Sequence, residues 1–158
     1  MILDYISTPL SVLDNDNNYR KEEPTFEYRK SSDAGIDLHA CIEHTMILQP
    51  NEVILIPTNI QVDMRDDPSI MALVLPRSGT GHKRGIICGN GTGVIDANYH
   101  GVIHISCWNR SDTTQTIEPM ERIAQLIFVP IVHVTPNKVT VFKTSTERGS
   151  SGFGSSGT

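Results

Sequence analysis

The residues best equipped for chemistry stand close together between Gly85 and Gly101, in the stretch GIICGNGTGVIDANYHG. Asn90 offers a paired donor and acceptor that match the amide edge of a nucleobase. Asp96 follows the apolar pair Val94–Ile95, so its carboxylate stands beside a semi-buried wall. Tyr99, three residues on, carries a ring that can lie against a sugar. Gly89, Gly91 and Gly93 permit tight turns and a close approach of backbone to a ligand, because no Cβ intervenes. By itself the stretch also reads as a glycine-rich β-hairpin with Asn and Asp as ordinary turn formers.

Four further segments carry polar groups in suggestive places. In Asp33–Ala40 (DAGIDLHA), Asp37 alternates with the apolar residues Ile36 and Leu38. In Leu75–Gly81 (LPRSGTG), an apolar run ends in Pro76 and is followed by Arg77, Ser78 and Gly79. A strand end with free N–H groups, a hydroxyl and a guanidinium makes a good anion site. Glu121–Phe128 (ERIAQLIF) sets Gln125 among apolar neighbours, and the tail Arg148–Thr158 reads RGSSGFGSSGT. By composition that tail is a flexible Gly/Ser segment, and it lacks the Gly-Lys-Ser/Thr ending of a P-loop. Arg148 and the lone Phe153 nevertheless give it one cation and one ring with which to close over a nucleotide. The histidines form no HxH or HExxH pattern and default to the surface.

The elements that must position these groups are short and β-favouring. They are Gly35–Cys41, Met46–Leu48, Val53–Ile56, Ile60–Val62, Ile70–Leu75, Gly85–Cys88, Val102–Trp108, Thr114–Ile117, Ala124–Phe128 and Val139–Phe142, with a weaker alternation over Met1–Ile6. Prolines stand at the joints, where a missing N–H harms a ladder least. No window of a dozen residues holds a helical stripe, so at most a turn or two of helix follows Arg77. Many short strands at close spacing predict an all-β sandwich or barrel. Leu13–Lys30 is polar, without a usable period, and reads as a surface loop.

At 158 residues the chain fits one domain, and 6% aromatic content makes its core aliphatic. A net charge of −5 argues against binding along a nucleic-acid backbone, which needs a positive footprint. A small anion needs only a local cluster, which Arg77, Lys83, Arg84, Arg122 and Arg148 can supply. Cys41, Cys88 and Cys107 are odd in number and widely spaced, fit neither a disulfide framework nor a zinc site, and suit a reducing compartment. The start has no basic n-region or long apolar run, so the expectation is a soluble cytoplasmic protein without a membrane anchor.

Taken in order, AGIDL, PRSG, GNGTGVIDANYHG, ERIAQLIF and RGSSGFGSSG resemble the five motifs of the trimeric deoxyuridine triphosphate nucleotidohydrolases, the dUTPases. Each motif alone is weak, but five in order, with Asn, Asp and Tyr correctly spaced in the third, are highly specific. The resemblance runs from about Ser32 to Gly157. It implies a jelly-roll-like β-barrel or sandwich over residues 1–143, with 13–30 as a polar surface insertion. It also implies a mobile C-terminal lid arm over 144–158, and a homotrimer whose three sites each draw on all three chains. The implied reaction is hydrolysis of dUTP to dUMP and pyrophosphate, with Mg²⁺ on the triphosphate. Such an activity limits uracil incorporation into DNA and supplies dUMP for dTMP synthesis.

Residue by residue, the resemblance gives Asn90 a hydrogen bond to uracil, aided by backbone at Gly93, Val94 and Ile95 and near His104. Tyr99 packs on deoxyribose and excludes a 2′-hydroxyl. Asp96 binds the 3′-hydroxyl and orients the attacking water. Arg77, Ser78, Gly79 and Gln125 serve the phosphates, and Asp37 contacts magnesium through water. Arg148, Phe153, Gly154 and Ser155 close the lid. An ordinary aspartate, with a pKa of about 3.9, is a poor base at neutral pH, so either positioning or a raised pKa must carry the step. Cytosine would present a donor where the hairpin needs an acceptor. Two departures stand out: Ser151 replaces a usual Gly, and Asp14–Glu23 is an insertion without an assigned role. The rivals are a dCTP deaminase and a catalytically silent nucleotide-binding regulator on the same fold.

Overall fold

The computed structural model describes residues 2–13, 19–146 and 149. Among them are thirteen strands and one short helix. The all-β expectation holds. The strands are β1 (Asp4–Ser7), β2 (Leu10–Leu13), β3 (Tyr19–Glu22), β4 (Ile36–His39), β5 (Met46–Leu48), β6 (Val53–Pro57) and β7 (Ile60–Asp63). They continue with β8 (Ile70–Pro76), β9 (Ile86–Cys88), β10 (Gly93–Ile95), β11 (His104–Asn109), β12 (Gln115–Ile117) and β13 (Arg122–Pro130). The helix, α1, spans Ser78–Arg84.

The largest sheet has the order β10-β8-β13-β4, and β6-β11-β9 forms a second. Three two-stranded ribbons, β1-β7, β12-β5 and β2-β3, complete a jelly-roll-like sandwich. Alternation along the strands builds its core. Ile36 and Leu38 of β4, Ala72 and Val74 of β8, and Ile105 and Cys107 of β11 turn inward. They meet Leu48, Ile56, Ile86, Ile103 and Leu126 in one aliphatic cluster. The one buried Asn in that core is fully used. Asn109 Nδ2 donates to the carbonyls of Leu48 and Thr113 at 3.0 and 2.8 Å, and its Oδ1 accepts from Ser111.

Three local expectations are corrected. The segment read as a surface loop contains β3, which pairs with β2 from Leu10↔Glu22 to Leu13↔Tyr19. Its side chains are polar, so cross-strand pairing rather than burial holds it; further on, Pro24 and Phe26 are buried, Phe26 against Tyr5. Val139–Phe142 is not a strand among the described residues: no neighbouring strand pairs with it, and Val141 and Phe142 are exposed. Gly93–Ile95, expected within a loop and hairpin, is an edge strand on β8. The cysteines carry no disulfide, although Cys88 and Cys107 stand directly opposite across β9 and β11. No helix among the described residues is long and apolar enough to cross a membrane.

Candidate functional site

Two groups of polar residues are built on the largest sheet. The first lies where β4, β13 and β8 run side by side. Register sets Asp37 opposite Gln125 and Gln125 opposite Leu75, so one row crosses three strands toward the end of β8. A bulge between Arg122 and Ala124 shifts the register of β13 against β4. Beyond it Ile123 and Ala124 are both buried, while Arg122 and Gln125 remain half-exposed near Asp37.

Asp37 is clamped from two sides. Arg77 Nε meets its Oδ1 at 2.8 Å, and Arg122 Nη1 meets its Oδ2 at 3.0 Å. Arg77 Nη1 also donates to the Arg122 carbonyl at 3.1 Å. Gln125 Nε2 donates to the carbonyl of Pro76 at 3.1 Å, which fixes the amide beside the turn into α1. Asp37, Arg77, Ser78, Gly79 and Gln125 thus line one open cleft of about 500 Å³, together with Arg29, Asp33, Ala34 and Gly35. The arginine clamp leaves guanidinium N–H groups of Arg77 unused by Asp37 and Arg122, and each carboxylate oxygen keeps a second lone pair. An anion with several oxygens suits such a cleft.

The second group is the stretch after β9, a hairpin in its course but not in its pairing: β10 pairs with β8, whereas β9 pairs with β11. Gly93 lies against Val74 so closely that a Cβ would stand 3.0 Å from the Val74 Cβ, with Asn90 Nδ2 at 3.7 Å. Glycine therefore lets the hairpin lie flat on β8 with Asn90 beside its entry. The chain then turns through Asp96, whose carbonyl accepts from Tyr99 N at 3.0 Å. Tyr99 Oη donates to the Val102 carbonyl at 2.9 Å, and the ring covers Gly101, where a Cβ would sit 2.5 Å from that oxygen. His104 Nδ1 shares the same Val102 carbonyl at 2.9 Å, so Tyr99 and His104 converge. Asn90, Val94, Asp96, Tyr99 and His104 are exposed, and Gly93 and Ile95 are half-buried.

Sheet geometry carries the Asp96 end of the second group away from the cleft within one chain, although Gly93, opposite Val74, lies only three positions from Arg77 along β8. Ile95 stands opposite Ala72, whereas Arg77 lies five positions farther along, about 16 Å at roughly 3.3 Å per residue. Arg77 is also pinned toward β13 and β4, on the opposite side of β8 from β10. Arg148, Phe153, Gly154 and Ser155 lie outside the described residues.

The sequence reading missed three residues of the first group. Arg122 was only one of several possible cations, and no letter signals the bulge that brings it to Asp37. Arg29 was hidden in the polar segment. His39 was assigned to the surface, but period two after Asp37 sets it on the same face, and its Nδ1 is buried without a partner among the described residues. Burial lowers the His39 pKa; Asp37 opposes this, while Arg122 and Arg77 add to it. A group held neutral by the fold contributes stability above its unfolded pKa, about 6.5, and loses it as pH falls below that value. Melting temperature should therefore fall between pH 7.5 and 5.5, and His39→Gln should flatten that slope. An unchanged slope in the variant would remove His39 from the pH response.

The dUTPase family model matches residues 21–157. The deoxyuridine 5′-triphosphate nucleotidohydrolase of Nitrosospira multiformis is 54% identical over 130 residues, spanning 82% of this chain and 86% of that protein. The protein of the same name from Shewanella loihica is 47% identical over 153 residues, 97% of this chain and 99% of its own. Among solved structures, a mutant of the Staphylococcus bacteriophage 80alpha dUTPase with dUpNHpp is similar at a TM-score of 0.77 and 28% identity, over 99% of both chains.

Proposed function

The chain belongs to the dUTPase family, and we propose on that premise that it hydrolyses dUTP to dUMP and pyrophosphate. The observation that carries the reading is that one sheet bears both a glycine-lined stretch presenting Asn90, Asp96 and Tyr99 and an anion cleft around Asp37, Arg77 and Gln125. On the hairpin, Asn90 and the backbone at Gly93–Ile95 bind uracil, aided by backbone near His104. Tyr99 packs on the sugar. Its hydroxyl is committed to the Val102 carbonyl, so the ring is held as a wall rather than left to swing. Asp96 accepts the 3′-hydroxyl and orients the water that attacks the α-phosphorus. Because the hairpin fixes that carboxylate's backbone, much of its contribution is positional. In the cleft, Arg77, Ser78, Gly79 and Gln125 take the phosphates.

Magnesium arrives with the triphosphate as part of the substrate. Asp37 already accepts one guanidinium N–H on each oxygen, and its remaining lone pairs suit contact through water. When bound, the ion neutralises phosphate charge and polarises the phosphoryl oxygens.

The separation of hairpin and cleft favours a homotrimer in which one chain's hairpin meets a neighbour's cleft. Exposed apolar residues support such packing: Val53 and Leu55 on β6, Ile47 on β5, and Val132, Val134, Val141 and Phe142 beyond β13. The arm from 144 to 158, with Arg148, Phe153, Gly154 and Ser155, would then close the third side. Three free thiols suit work in the reducing cytoplasm.

The test is turnover of dUTP with magnesium by the purified protein. Equal yields of dUMP and pyrophosphate without ammonia are expected. Ammonia from dCTP would identify a deaminase, and binding without turnover would identify a regulator; either outcome overturns the reading.

A further inference from the structure

We propose that Arg29, delivered by the segment before β4, is an additional triphosphate-binding residue of this site, acting on the phosphates beyond the α position. The inference rests on the dUTP reading above and extends it to a residue outside the five motifs. Arg29 lines the same cleft as Asp37, Arg77, Ser78 and Gln125. It also lines the adjoining pocket of Glu27, His39 and Arg122, so it stands between the two.

Its place there is built. Pro24 and Phe26 are buried just upstream and fix the chain against the core, with the Phe26 ring 5.0 Å from that of Tyr5. Just downstream the chain is closed by a turn: Asp33 N donates to the Lys30 carbonyl, and Lys30 N donates to Asp33 Oδ2, each at 3.0 Å. Anchor and turn hold Arg29 at the cleft mouth with only two residues of slack from Phe26.

Charge gives the position its purpose. Arg77 and Arg122 are both spent in part on Asp37, whereas Arg29 takes part in none of the ion pairs among the described residues. Asp33 lies in the cleft and Glu27 in the adjoining pocket, and both repel phosphate. Without Arg29 the cleft lining would carry two carboxylates, Asp33 and Asp37, against one guanidinium, Arg77. With it, a five-donor guanidinium faces the incoming phosphates. The polar segment before β4, otherwise without a role, thereby supplies a cation to the site.

The experiment compares wild type and Arg29→Gln by calorimetry at low ionic strength, with dUpNHpp plus magnesium and with dUMP as probes. dUpNHpp should bind the variant roughly tenfold more weakly, the scale of one charge-assisted hydrogen bond, while dUMP binding changes less than about twofold. Adding Asp33→Asn, which keeps an acceptor for Lys30 N, should restore part of the loss, and Arg29→Lys should retain part of the affinity. Equal weakening of both probes would make Arg29 a structural residue and overturn the proposal, as would unchanged dUpNHpp binding. Wild type that turns over dUTP while Arg29→Gln binds normally sinks only this inference. Wild type that neither binds dUpNHpp nor turns over dUTP sinks the dUTP reading, and this inference with it.

Discussion

Asp96→Asn lowers kcat for dUTP by roughly 10²–10⁴-fold, the scale of losing a positioned acid–base group, and leaves the affinity for dUpNHpp within a few-fold of wild type. The amide keeps the size and one acceptor of the carboxylate, so contacts to the sugar survive. What it would lose, on the proposed mechanism, is the negative charge that orients the water. Asp96 is the sole carboxylate of the stretch from Gly85 to Gly101, and Tyr99 N anchors its carbonyl, so the side chain has a fixed origin. Steady-state kinetics with calorimetry on the same preparation separates the two effects. Turnover unchanged in the variant would take Asp96 out of the mechanism.

Arg77→Ala lowers kcat/KM by roughly 10²–10³-fold, comparable to removing one preorganised donor from a site where charge develops. The mutation removes more than a phosphate contact, because Arg77 also bridges Asp37 and the Arg122 carbonyl. Arg122 remains on Asp37, so the sheet should stay folded and the melting temperature should move little. Arg77→Lys should recover only a small part. An ammonium is a point charge and cannot reproduce a fork that grips Asp37 on one side and phosphate on another. Recovery to wild-type kcat/KM in the Lys variant would reduce Arg77 to a simple cation.

How much of this was legible in the letters depends on what held each element together. β5 was read at its exact bounds, and most other core strands within one or two residues, because aliphatic runs between turn formers report burial directly. β3 was invisible: Tyr19–Glu22 carries three charged side chains, and only the partner strand makes it a strand. Val139–Phe142 erred the other way, since its β-favouring residues find no partner strand among the described residues. At the candidate site, the grouping of Asn90, Asp96 and Tyr99 was readable because one local stretch holds them all. The places of Arg122 and Arg29 were not, because a bulge brings Arg122 to Asp37 from 85 residues away and the buried Phe26 anchors the segment that sets Arg29 beside the cleft. Period two did contain the signal for His39, two residues after Asp37, and the default of surface histidines obscured it.

We propose that hairpin and cleft act together across chains, because the sheet carries Asp96 away from the cleft within one chain, so that each site joins the hairpin of one chain to the cleft of a neighbour. The most direct measurement mixes two inactive proteins. Asp96→Asn keeps a good cleft, Arg77→Ala keeps a good hairpin, and equimolar co-refolding allows mixed trimers. If a site takes its hairpin from one chain and its cleft from the next, about a quarter of the sites in randomly mixed closed trimers are intact. Activity should rise to about that fraction of wild type. Mixed trimers verified by native mass, with activity no higher than that of the two variants alone, would contradict the shared site.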